Sequence, residues 1–138
     1  MEPMMIERLI DSVIIIDHLN GIENATRFIL EVNPQQTAIS VITRAEILTG
    51  LDQDEQPKVM QLLDQYQLFI IDKPIADLAA GLRREHGWKL PDAFQAAMAT
   101  HHKTNLTTRN TKDFDPDKLD FVEIPYTLYL FSFSLFCP

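Results

Sequence analysis

Four carboxylates in this chain stand where an α/β domain would put them to use. Asp11 ends an apolar stretch at 6–10, and Glu46 sits in the segment that leaves a second short run at 37–40. Asp92 follows Leu90-Pro91 at the opening of an alanine-rich stretch. Asp113 follows a further run at 105–108, within Thr108-Arg109-Asn110-Thr111-Lys112-Asp113-Phe114. In open α/β sheets, reacting groups gather at the carboxyl ends of the strands. Four acids drawn to one such end would repel one another unless cations were shared between them. Oxygen donors without a His–Cys set suit magnesium or manganese. Such ions acidify a bound water and steady charge developing on a phosphodiester. All of this requires the strands to be neighbours, which spacing alone leaves open. Taken singly, Asp11 also reads as a helix cap, Glu46 as an exposed helix residue, Asp92 as a first-turn acid favoured by the helix dipole and Asp113 as a turn residue.

Other chemistries fit less well. Glu85-His86 and His101-His102 raise zinc, but there is no His-Glu-x-x-His pattern and Cys137 has no second cysteine. These histidines read as surface residues at helix ends. The phosphate-binding and dinucleotide-binding glycine patterns are absent, and no serine has a Gly-x-Ser-x-Gly setting. A magnesium phosphatase of the Asp-x-Asp type would need a second aspartate where Val13 stands.

The elements that must position the acids follow from periodicity. Strands are expected at 6–10, 37–40, 68–71, 105–108 and 120–123. Val13-Ile14-Ile15-Ile16 could extend the first strand by β-branching or open a helix closed by Asn20-Gly21; the helix is favoured. Residues 22–32 repeat apolar positions at helical spacing and stop at Asn33-Pro34. Ser40 is placed to cap a helix at 41–51, on which Thr43 shares a face with Glu46. Further helices are expected at 53–65, 75–85 and 90–102, the last with Pro91 in its first turn. Strands alternating with helices imply an α/β fold, a parallel sheet with helices on both faces.

The 138 residues, 46% apolar and 23% charged, suffice for one domain with a real core. A single cysteine permits no intrachain disulfide. No signal peptide and no span of membrane length is evident, so a cytoplasmic protein with no membrane partner is expected. The net charge of −8 weighs against binding nucleic acid by phosphate neutralisation alone. It does not weigh against a nuclease whose acids surround cations, because a bound divalent ion inverts the local sign.

The segments carrying the acids resemble the successive motifs of PIN domains. The opening motif is Leu9-Ile10-Asp11-Ser12-Val13-Ile14-Ile15-Ile16-Asp17, and the second is Ile39-Ser40-Val41-Ile42-Thr43-Arg44-Ala45-Glu46-Ile47-Leu48. The third is Leu90-Pro91-Asp92-Ala93-Phe94-Gln95-Ala96-Ala97, and the fourth is Thr107 to Phe114. The resemblance covers about residues 6–126 and is nearest to VapC toxins. It implies a three-layer α/β/α fold with a central parallel sheet, with 1–126 as the PIN domain. It further implies a Mg2+- or Mn2+-dependent endoribonuclease, the toxin of a type II toxin–antitoxin pair. The family's catalytic and metal-holding acids carry over onto Asp11, Glu46, Asp92 and Asp113, with Thr43 and Asn110 as supporting residues. RNA substrate, a VapB-type antitoxin and a homodimer are the implied partners. Arg83, Arg84, Lys89, Arg109 and Lys112 are candidates for holding the RNA strand at the rim. Helices 22–32 and 53–65, with Phe28, Leu30 and Met60, are candidates for the walls of an antitoxin groove.

Two departures stand out. The family usually has Asn where this chain has Val13, and a lost amide would loosen the support of Asp11. The alternative of a catalytically weakened, PIN-like RNA-binding module therefore stays open. The apolar tail at 127–138 has no counterpart where relatives usually stop. Its role is open between docking on the domain, a second copy or the antitoxin, and an accident of the reading frame.

Overall fold

The computed structural model describes residues 5–128. The chain runs β1 (Arg8–Ile10), α1 (Ser12–Leu19), α2 (Glu23–Glu31), a 3-10 turn (Pro34–Gln36), β2 (Thr37–Ser40) and α3 (Val41–Thr49). It continues through α4 (Gln56–Leu63), β3 (Gln67–Phe69), α5 (Lys73–His86), α6 (Leu90–His101), β4 (Asn105–Thr107) and β5 (Val122–Glu123). The strands form one sheet in the order β3-β2-β1-β4-β5, every pair parallel. This is the three-layer α/β/α architecture that the sequence implies.

Alternation along the strands builds the layers, because successive strand side chains point to opposite faces. Leu9 lies in register with Ala38 on one side and Leu106 on the other. All three face the core under α5 and α6, with Ile75, Ala79 and Met98. Ile10 and Ile39 point the other way, into the core under α1 to α4 with Ile14, Ile47 and Leu63. Ala93, Ala96, Ala97 and Ala99 are fully buried on α6. Small side chains let that helix lie close against the sheet and α5.

Local chemistry sets most boundaries. Asp11 caps α1 by accepting from the Ser12 N–H at 2.9 Å, so the isoleucine run becomes helix. That helix ends before Gly21, whose φ of +80° suits glycine. Ser40 accepts from the Thr43 N–H at 3.0 Å and starts α3. Asp72 caps α5, and Gly87 closes it in the left-handed conformation. Several expected boundaries move, β1 starting at Arg8 and β5 at Val122 among them, and two have a clear local reason. α4 begins at Gln56, with Pro57 in its first turn, after a turn in which the Glu55 N–H donates to Asp52 O. β3 stops at Phe69 because its β2 partner ends at Ser40, leaving Ile70 without a ladder and 60% exposed.

The connectivity creates one special place. From β1 the chain steps outward through β2 to β3, then returns to the opposite flank of β1 to lay down β4 and β5. Adjacent strands therefore lead away in opposite directions between β1 and β4, the crevice where open α/β sheets bind ligands. Asp11 stands at its lip, and its N–H donates to Thr107 O at 2.9 Å, extending the ladder by one residue. No described helix is long and apolar enough to cross a membrane. Of the tail expected at 127–138, residues 129–138 lie outside the described residues.

Candidate metal centre at the carboxyl end of the sheet

Asp11 is 8% exposed, and its carboxylate is held by three donors. The Ser12 N–H and Gln95 Nε2 donate to Oδ1 at 2.9 and 3.3 Å, and the Thr108 hydroxyl donates to Oδ2 at 2.8 Å. These donors come from α1, α6 and the residue after β4, so the switch point itself orients this side chain. A cavity of about 380 Å³ opens beside it. Glu46 from α3 and Asp92 from the first turn of α6 also line this cavity, with Val13, Arg109 and Lys112 at its walls.

The three acids feel one another. Burial pushes the Asp11 carboxyl above its ordinary range, opposed by its bonds to Thr108, Gln95 and Ser12. Glu46 is raised first by burial and then by the charges of Asp11 and Asp92. Asp92 is raised by burial, then by Asp11 and Asp113, with Lys89 pulling the other way.

Asp113 stands apart. It lines the adjoining depression with His86, Trp88 and Lys118. Its Oδ2 accepts from Asn110 Nδ2 at 3.0 Å, and its carbonyl accepts from the Trp88 indole N–H at 3.0 Å. It does not line the cavity itself, but it is tied to it through cavity-lining Asn110, and its charge helps raise the Asp92 carboxyl. Phe114 beside it is fully buried and fastens the segment to the core.

Thr43, three residues before Glu46 on α3, is buried, and its Oγ1 accepts from Gln95 Nε2 at 3.0 Å. Asn110 lines the cavity and bonds Asp113. Of the expected rim cations, Arg109 and Lys112 reach the cavity. Arg83 instead donates to the Trp88 carbonyl. The histidines first weighed for zinc fall elsewhere: His102 stacks on Phe69 and His86 on Trp88.

Gln95, Thr108, Asp17 and Tyr126 were not singled out from sequence. Gln95 did carry a signal, as an amide in an otherwise apolar buried run three residues after Asp92. Asp17 carried a weaker one, lying three residues after buried Ile14 on the same helix face. Thr108 and Tyr126 carried none, since their partners are 97 and 109 residues away.

Among the described residues, no three His, Cys, Asp or Glu side chains close into a ready coordination sphere. The donor chemistry nevertheless suits a hard divalent cation: carboxylate oxygens around one cavity, each with its proton affinity raised. Gln95 Oε1 is also buried there without a hydrogen-bond partner.

The family profile described as "PIN domain" matches residues 8–119. A toxin–antitoxin complex from Klebsiella pneumoniae contains a chain 35% identical, with a TM-score of 0.81, covering 88% of this chain and 100% of that one. FitAcB from Neisseria gonorrhoeae is 22% identical, with a TM-score of 0.71 and coverages of 86% and 97%. DNA-bound VapBC from Salmonella typhimurium is 19% identical, with a TM-score of 0.71 and coverages of 89% and 98%. The last two are similar in fold. Comparison with curated protein sequences returned no match.

Proposed function

The chain belongs to the PIN-domain family, and from that premise we propose that it is the toxin of a toxin–antitoxin pair, a VapC-type endoribonuclease using Mg2+ or Mn2+. The observation that carries this reading is the meeting of Asp11, Glu46 and Asp92 around one cavity at the switch point of the sheet. The 35% identity to a chain of a toxin–antitoxin complex supports the biological setting.

Asp11, Glu46 and Asp92 would hold the cation, with Asp113 strengthening the negative field from next door. When bound, the cation neutralises charge on the scissile phosphate and acidifies a water. The protein's own share is orientation and proton handling. Asp11 cannot rotate away, because three donors grip it. Glu46 is exposed and has a raised pKa, which suits a carboxylate oxygen that takes a proton from the attacking water. In the net reaction the water oxygen bonds to phosphorus and one phosphorus–oxygen bond to ribose breaks. The proton ends on the released ribose oxygen. Lys112 at the wall would meet a flanking phosphate, while Arg109 beside it is engaged by Asp17.

An inhibitor would exploit the same acids. An apolar groove of about 200 Å³, lined by Ile16, Leu19, Ile47 and Leu51, shares Glu46 with the acidic cavity. A VapB-type antitoxin segment with an apolar face, followed by an Arg or Lys, matches that sequence of surfaces. In this reading the antitoxin would dock between α1 and α3, a different surface from helices 22–32 and 53–65 that the sequence offered. On those helices Leu30 is 79% exposed, while Phe28 packs on the core under the Arg8 guanidinium.

The test is cleavage of a mixed RNA pool by purified chain in Mg2+, Mn2+ or chelator, alongside Asp11→Asn and Asp92→Asn. Metal-dependent cleavage lost in both variants is expected. Binding of RNA without cleavage would instead support the weakened binding module. Light scattering with and without the small protein encoded beside it tests the antitoxin and the proposed homodimer together.

A further inference from the structure

Gln95 is an uncommon residue for its surroundings. It lies on α6 among fully buried alanines and is itself only 2% exposed. A buried amide is costly unless its polar atoms are bonded. Its Nε2 meets that requirement twice, donating to Asp11 Oδ1 at 3.3 Å and to Thr43 Oγ1 at 3.0 Å. These bonds fix the sense of the amide, since the reverse orientation would set Oε1 against a carboxylate oxygen of Asp11.

With that sense fixed, Oε1 is buried and has no partner within the described protein. An orphaned buried acceptor in a native fold calls for a reason, such as an ion or water in the working state. The reason here is close at hand, because Gln95 lines the cavity shared by Asp11, Glu46 and Asp92. Val13, on the same wall, brings no polar side-chain atom. The amide that steadies Asp11 therefore comes from α6.

We propose that Gln95 is a positioning residue of the cation site: its Nε2 sets the orientation of the Asp11 carboxylate, and its Oε1 is the acceptor for a water that accompanies the hydrated divalent cation. This rests on the metal-dependent reading above. Magnesium in particular dehydrates reluctantly and keeps several waters. Each such water is a strong donor in search of an acceptor. Residues that orient the ligands of a metal change its affinity by about 10–100-fold when removed. A purely structural Gln95 would instead affect only the stability of the metal-free fold.

The experiment measures Mn2+ binding to the full chain by the paramagnetic resonance signal of free Mn2+, with Asp11→Asn marking the site. Gln95→Met keeps the volume and removes both polar atoms. Its expected result is Mn2+ affinity weakened about tenfold or more. Its kcat falls, KM for RNA is unchanged, and the metal-free melting temperature does not fall. Thr43→Val, which leaves Gln95 but removes one of its two anchors, should weaken Mn2+ binding in the same direction by less. This second variant also decides the matter if Gln95→Met does not fold. Mn2+ affinity equal to wild type in Gln95→Met, or in Thr43→Val if that is the variant that folds, overturns the role of Gln95 and leaves the metal centre standing. A wild-type chain without an Asp11-dependent Mn2+ site overturns both.

Discussion

Arg109 grips Asp17 with two nitrogens. Its Nη2 lies 2.9 Å from Oδ1, and its Nε bonds Oδ2. Asp17 is 5% exposed on α1, and Tyr126, beyond β5, donates its hydroxyl to the same carboxylate at 2.8 Å. The bond to Asp17 raises the Arg109 pKa further and fastens the loop carrying Asn110 and Asp113 against α1. Removing Arg109 leaves a buried carboxylate with one remaining donor, whereas removing the Tyr126 hydroxyl leaves the ion pair intact. Arg109→Met should therefore destabilise the fold by about 2 kcal/mol and Tyr126→Phe by about 1 kcal/mol. Urea unfolding measures both, and equal losses would mean that the ion pair contributes no more than the phenol.

Asp113 should matter less than Asp11. Its carboxylate lies outside the cavity and acts there through Asp92. Asp113→Asn should lower RNA cleavage by about 10–100-fold, the range for residues one step removed from a metal. Asp11→Asn should leave no measurable turnover. Single-turnover assays at saturating Mn2+ compare them, and equal loss would place Asp113 on the cation directly.

The acids set a pH dependence with a definite sign. Asp11, Glu46 and Asp92 all have raised pKa values in the metal-free fold. The folded chain thus holds these protons more tightly than the unfolded chain. The stability they add is fully present below about pH 4, the ordinary carboxylate value, and is lost as pH rises through the folded values. In chelator, the melting temperature of Asp11→Asn minus that of wild type should grow as pH rises above about 4, the ordinary carboxylate value. Added Mn2+ should raise the wild type alone. A difference that shrinks with pH would show that Asp11 is stabilised as the anion.

The apolar groove gives a separate test of inhibition. Ile16 and Leu19 are 40% and 38% exposed on α1, beside Glu46. Leu19→Glu places a charge on that apolar wall and should raise the antitoxin concentration for half-inhibition at least about tenfold, the value of a lost buried contact near 1.4 kcal/mol. Titration of cleavage with the neighbouring gene product reads this directly. An unchanged midpoint would move the antitoxin to another face.

Much of this protein was legible from local rules. Leu9 and Ile10, like Ala38 and Ile39, alternate with the period of a strand, so the two cores were implicit in four residues. Ser40 and Gly87 mark helix ends by chemistry acting over a few residues, and periodicity locates the elements that put Asp11 and Asp92 at helix starts and Glu46 inside α3. The end of β3 was not legible, because it depends on where its partner β2 runs out. Nor were the bonds of Asp11 to Gln95 and Thr108, or the meeting of Asp17, Arg109 and Tyr126 across 92 and 109 residues. Caps and periodicity govern neighbours along the chain, whereas these contacts depend on strand order. Only the return of the chain to the far side of β1 brings β4, and with it Thr108 and Arg109, to the aspartates of the opening motif. The same geometry leaves Asp113 one cavity away, a distinction that no spacing in the sequence encodes.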